Sequence, residues 1–151
     1  MILTPGTSAP DFTLPATPDK VVTLSEIDAP VVLIFYPADW SPVCGDELSI
    51  FEAAGQLFKA RGAELLGISV DGVWCHSAFR ADRKLAFPLL ADFHPKGATA
   101  TSYGVYRGDD GISERALFVL DRAHTITWSH LSPIGVNPGA DGALRAVEAL
   151  S

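Results

Sequence analysis

Hydrophobic and polar positions change rhythm several times along this chain, and each change predicts an element. Val31 to Tyr36 is an unbroken run of β-branched, aliphatic and aromatic residues, which predicts a strand covered on both faces. Pro37 has no N–H to give a ladder and ends it. From Val43 the apolar residues Leu48, Phe51, Ala54 and Phe58 fall at helical spacing to about Lys59, and Arg61-Gly62 reads as the cap. Glu64 to Val70 is a second core strand. Asp71 is expected to cap a helix over roughly Val73 to Lys84.

Upstream, Ala9-Pro10-Asp11-Phe12-Thr13-Leu14 and Val21-Val22-Thr23-Leu24 flank a Pro/Asp/Lys turn, predicting a hairpin, and Ser25 to Pro30 a helical turn or loop. Downstream, Phe87 to Leu90 is a short strand pushed toward an edge by Pro88, and Ala98 to Tyr103 a short helix. Arg115 to Leu120 and Thr125 to Ser129 read as an antiparallel pair, Leu131 to Gly142 as loop and Ala143 to Leu150 as a closing helix. This order predicts an α/β sandwich: a mixed sheet, two parallel core strands, helices on both faces and an N-terminal hairpin. With no repeat or linker, one domain is expected over residues 1–151.

Composition narrows the function classes. A net charge of −7 argues against nucleic-acid or anionic-membrane partners. The N-terminus lacks a basic leader, and no apolar run approaches the ~20 residues of a membrane span, so the expected compartment is the cytoplasm. Two cysteines, Cys44 and Cys75, are too few for a disulfide scaffold, and with one near each of two different motifs a zinc site lacks ligands.

The candidate chemistry sits just after the first core strand. Ser41-Pro42 is a helix start, Ser suiting the N-cap and Pro the first helical position. Cys44 then falls in the first turn, where unpaired N–H groups and the helix dipole favour a negative charge. A thiol held there is expected to ionise more readily than a free cysteine. In an open α/β sheet the carboxyl ends of parallel strands form the functional crevice, so Cys44 and Cys75 are expected on one edge. Arg115 opens the antiparallel pair and can bring a cation to that edge, where it would stabilise a thiolate. Glu47, one turn after Cys44, would oppose the thiolate unless a cation pairs with it, and Arg115 is the obvious one.

At Phe35-Tyr36-Pro37-Ala38-Asp39-Trp40-Ser41-Pro42-Val43-Cys44 the sequence resembles a peroxiredoxin, whose signature is a Pro, a Thr or Ser and the peroxidatic Cys at this spacing. Ala9-Pro10-Asp11-Phe12, Gly67-Ile68-Ser69-Val70-Asp71, Phe87-Pro88-Leu89-Leu90-Ala91-Asp92 and Arg115 with Phe118-Val119-Leu120-Asp121 resemble the family's other landmarks, over nearly the whole chain. Within the family the chain is most similar to the alkyl hydroperoxide reductase E or the bacterioferritin-comigratory type. The resemblance implies a thioredoxin-like fold and a thiol peroxidase in which Cys44 attacks hydrogen peroxide, an organic hydroperoxide or peroxynitrite and becomes a sulfenic acid. It implies that Pro37 shields the thiolate and that Ser41 and Arg115 hold the peroxide oxygens; Glu47, Trp40 and Tyr36 are candidates for supporting the site. A thioredoxin-like or small-thiol reductant and a homodimer are implied as partners, and no metal or organic cofactor is implied.

The chain departs from the family pattern in places. Ser41 stands for the commoner Thr, and Trp40 for Phe, which is expected to reshape the pocket mouth. Ser49 occupies the position of one subgroup's resolving Cys, and no Cys follows residue 75. Cys75 therefore has two readings, a resolving thiol or a small apolar residue under its helix. Glu47 is either a partner of the site or a solvated helix residue. His76 is expected on the surface or at an interface, and His94, His124 and His130 show no ligand spacing. A rival function is a thioredoxin-fold sensor that relays oxidation without peroxidase turnover. A disulfide reductase is disfavoured because no Cys-x-x-Cys occurs.

Overall fold

A computed structural model describes residues 1–150. Its frame is a five-stranded sheet in the order β5-β4-β3-β8-β9. The three central members are β3 (Val31–Phe35), β4 (Glu64–Ser69) and β8 (Arg115–Leu120), flanked by β5 (Leu89–Ala91) and β9 (Ile126–Ser132). β3, β4 and β5 are parallel, whereas β8 and β9 run antiparallel to their neighbours. The predicted mixed sheet is thus present, with β1 (Thr13–Thr17) and β2 (Lys20–Thr23) as the N-terminal hairpin.

Every residue of β3 is fully buried because the sheet is covered on both faces. The strand's period of two divides them. Val32, Ile34 and Tyr36 join Cys44, Leu48 and Phe51 of α1 (Pro42–Ala53), Phe58 of α2 (Gly55–Ala60) and Val147 of α5 (Asp141–Glu148). Val31, Leu33 and Phe35 pack on the other face with Phe12, Leu14, Tyr103 and Phe118. Leu117 and Val119 of β8 lie on the α1 face, so alternation places Arg115 on that face too. Gly67 leaves room there: a Cβ would stand 2.6 Å from Leu89 and 3.4 Å from the Tyr36 ring.

The structure corrects several expected boundaries. The helix predicted from Pro42 to Lys59 breaks at Ala54, where Gly55, a poor helix former, starts α2. The break lets Phe51 and Phe58 stack, with ring centroids 5.8 Å apart. Arg61 and Gly62 (φ +73°) do close α2. β9 runs on to Ser132, into the segment expected to be loop, because Ala116 and Arg115 continue the ladder with Leu131 and Ser132. β5 starts after Pro88 and lies at the sheet edge, as expected. The closing helix begins at Asp141, two residues early. A small hairpin of β6 (Tyr106–Arg107) and β7 (Ile112–Ser113), absent from the sequence reading, follows α4 (Ala98–Ser102).

Asp71 does not cap α3 (Val73–Arg83); Gly72 is the N-cap residue and makes no side-chain cap bond. The Asp71 carboxylate instead accepts from the Ser69 hydroxyl at 2.6 Å and the Asp39 N–H at 2.8 Å, tying the β4 end to the loop after β3. No helix among the described residues is long and apolar enough to cross a membrane.

Candidate active site

β3 is followed by buried Tyr36 and Pro37, and the chain then turns through Ala38 to Ser41 into α1. Trp40 takes the left-handed conformation (φ 69°) in that turn, unusual for a bulky residue. Its half-exposed ring meets Phe79 of α3 edge-on at 5.2 Å. Ser41 is the N-cap residue of α1 in position and backbone conformation, and its carbonyl accepts from the Gly45 N–H at 2.9 Å. Its hydroxyl makes no cap bond, so the expected capping role is corrected. The hydroxyl is left available to another partner at the mouth of the first turn.

Cys44 lies in that turn, fully buried. Arg115, one of the largest buried side chains, reaches it from β8: Nη1 donates to Cys44 Sγ at 3.3 Å and to Glu47 Oε1 at 2.9 Å. Nε donates to the Ile134 carbonyl at 2.9 Å, which fixes the direction of the guanidinium fork. Glu47 is therefore a partner of this cluster and no solvated helix residue. Burial drives its carboxyl up, Arg115 pulls it back by hydrogen bond and charge, and the balance stands at about 7. Since this lies above the ordinary 4.5, the stability Glu47 contributes is whole below about pH 4.5 and is lost as pH rises through about 7. The loss is on the order of 3 kcal/mol. Urea titrations at pH 5 and pH 8 are expected to show it, and Glu47→Gln to flatten the difference.

A second buried cluster escaped the sequence reading. Tyr36 Oη donates to Asp39 Oδ1 at 2.6 Å, and His76 Nδ1 pairs with Asp39 Oδ2 at 2.7 Å. His76 Nε2 meets the Leu90 carbonyl at 3.1 Å. His76, expected at the surface, is 1% exposed because the first turn of α3 lies over the β4–β5 edge. Its spacing of three from Phe79 was the available signal, since the two share one helix face. Tyr36 thus serves this cluster; burial first, then Asp39, holds its hydroxyl well above the usual phenol range. The cluster braces the Cys44 loop against α3.

Cys75 lies in the first turn of α3, partly exposed, where Sγ, an Asp39 oxygen and an Asp71 oxygen fall within 4.8 Å of one another. Burial and the two carboxylates push its thiol up to about 11. Those three ligand atoms are the one grouping among the described residues able to face a metal together, yet both Asp39 oxygens and Asp71 Oδ2 already accept hydrogen bonds. Cys44 and Cys75 thus follow adjacent parallel strands, each at a helix start on the carboxyl edge of the sheet, both with free thiols. His124 bonds the Ile27 carbonyl, and His130 on β9 bonds Ser132, the ladder partner of Arg115.

Comparison with known proteins finds relatives over most of the chain. The sequence model of the AhpC/TSA family matches residues 5–129. Peroxiredoxin-2 of Mus musculus is 37% identical over 95% of this chain and 77% of its own. The chloroplastic 2-Cys peroxiredoxin BAS1 of Hordeum vulgare is 34% identical over 96% of this chain and 74% of its own. The crystal structure of peroxidoxin BcpB from Mycobacterium tuberculosis superposes with a TM-score of 0.88 at 33% identity, covering 97% of each chain. With a matching fold, a helix-start cysteine and relatives spanning nearly its whole length, the chain belongs to the AhpC/TSA family and is a peroxiredoxin, a thiol-dependent peroxidase on the thioredoxin-like fold.

Proposed function

We propose that Cys44 is the peroxidatic cysteine and that Ser41, Pro37 and Arg115 complete its site. The observation that carries this reading is the bond from Arg115 Nη1 to a fully buried Cys44 sulfur at a helix N-terminus. The Cys44 thiolate attacks the terminal oxygen of a hydroperoxide as the O–O bond breaks. Sulfur is oxidised by two electrons to a sulfenic acid, and the departing oxygen takes a proton to leave as alcohol or water. Arg115 and the Ser41 hydroxyl hold the peroxide oxygens in line, and the guanidinium stabilises charge on the leaving oxygen. Buried Pro37 closes the strand side against water. Hydrogen peroxide, organic hydroperoxides and peroxynitrite all fit this chemistry.

The sulfenic acid is then resolved by Cys75 or by an external thiol, with loss of water, and a thioredoxin-like protein or small thiol supplies the electrons for the return. The high position of the Cys75 thiol suits a residue that does not itself attack peroxide. Trp40, Trp74 and Phe93, exposed by 52%, 76% and 61%, support a homodimer through the loops around the site. The expected compartment is the cytoplasm.

Intact mass after one equivalent of hydrogen peroxide, with and without a sulfenic-acid trap, tests the cycle. A trapped single-oxygen adduct on Cys44 with Cys75 free indicates an external resolving thiol. Loss of two hydrogens without an adduct indicates a Cys44–Cys75 disulfide. Oxygen uptake that spares Cys44 would refute the assignment.

A further inference from the structure

Three ionisable groups share the buried site, and their charges do not balance. Arg115, Cys44 and Glu47 are 2%, 0% and 0% exposed. One nitrogen, Arg115 Nη1, serves both acceptors, at 3.3 Å and 2.9 Å, so Cys44 and Glu47 compete for the same cation. Glu47 Oε2 is buried and has no hydrogen-bond partner. An ionised carboxylate leaves such an oxygen uncompensated at high cost, whereas a protonated one does not carry the charge there. No second cation among the described residues offsets the excess. Arg83 of α3 lies over Gly45 but meets exposed Asp46 at the rim, 3.9 Å away, and Glu114 beside Arg115 is paired with Arg107. His130 on β9 is bonded to Ser132.

We propose that Cys44 and Glu47 share one proton beneath Arg115, that Glu47 holds it while Cys44 is a thiolate, and that it passes to the departing peroxide oxygen. This rests on Cys44 being the peroxidatic residue. Before the reaction, thiolate and guanidinium form the ion pair and Glu47 is a neutral acid. The sulfur–oxygen bond forms, the O–O bond breaks, and the alkoxide or hydroxide takes the Glu47 proton. Afterwards Cys44 is a neutral sulfenic acid and the Glu47 carboxylate has inherited Arg115. The buried site keeps the same net charge throughout, so no charge is created in a dry cavity during turnover. Burial that raises the carboxyl to about 7 is consistent with an acid that keeps its proton near neutral pH.

Two measurements on the full-length reduced protein test the proposal. Stopped-flow peroxide consumption from pH 5 to 9 is expected to be bell-shaped in the native enzyme. In Glu47→Gln the falling limb at high pH disappears, and the plateau drops by roughly ten- to a hundredfold. A Glu47 that merely orients Arg115 would instead scale the profile down with its shape unchanged, which overturns the proposal. Independently of any variant, the infrared difference spectrum between reduced and peroxide-oxidised native enzyme should show loss of a protonated-carboxyl band. An unchanged carboxyl region alongside normal turnover also overturns it. If the native enzyme consumes no peroxide at any pH, the reading of Cys44 beneath the proposal fails first, and the proposal with it.

Discussion

Cys44→Ser is expected to reduce peroxide consumption to the uncatalysed level while leaving the fold intact. A serine hydroxyl is nearly isosteric with the thiol and can accept from Arg115, so the packing with Leu48 and Phe51 persists. It cannot match the chemistry, since the thiolate is the nucleophile and a hydroxyl is neither ionised nor soft enough to take oxygen from a peroxide. Cys75→Ser is the control. It keeps the first oxidation at the native rate, because Cys75 lies by Asp39 and Asp71 and outside the Arg115 contacts. Stopped-flow peroxide traces with thermal melts check both variants, and turnover in Cys44→Ser would overturn the assignment.

The second large effect is expected at Arg115. Arg115→Leu removes the cation from a buried carboxyl and a buried sulfur together. The rate should fall by about a hundred- to a thousandfold, the scale of losing one preorganised donor to a developing oxyanion. Stability should fall by about 3–5 kcal/mol at pH 8, where the buried Glu47 carboxyl has lost its only cation and must either carry an unpaired charge or take up a proton. The two effects are separable. The double variant Arg115→Leu, Glu47→Gln should recover much of the stability and none of the rate. Urea denaturation beside peroxide kinetics distinguishes them, and full recovery of both would show that Arg115 has only a structural role.

Much of this site was legible in one sequence because its signals are local. Val31 to Tyr36 can be little but a covered strand, and Pro37 must end it. Ser41-Pro42 marks a helix start whatever the surroundings, so Cys44 falls in a first turn by counting alone. The Arg115 contact with Glu47 follows from two simple periods: a helical spacing of three sets Glu47 near Cys44, and a strand period of two sets Arg115 on the α1 face.

Other features were decided elsewhere in the fold. Ser41 fits the N-cap rule, yet its hydroxyl makes no cap bond. Asp71 has the chemistry of a cap and was drawn to Ser69 and Asp39 instead. His76 and Asp39 are distant in sequence and meet because β3 and β4 are neighbours and α3 folds back over β5. What the sequence determined by itself was therefore most of the element order, the buried strand and the place of Cys44 in the first turn of a helix, all set by near neighbours along the chain. What the tertiary structure decided was which polar groups are buried together, and so where protons and charges reside. That depends on desolvation by distant segments, which no local pattern records.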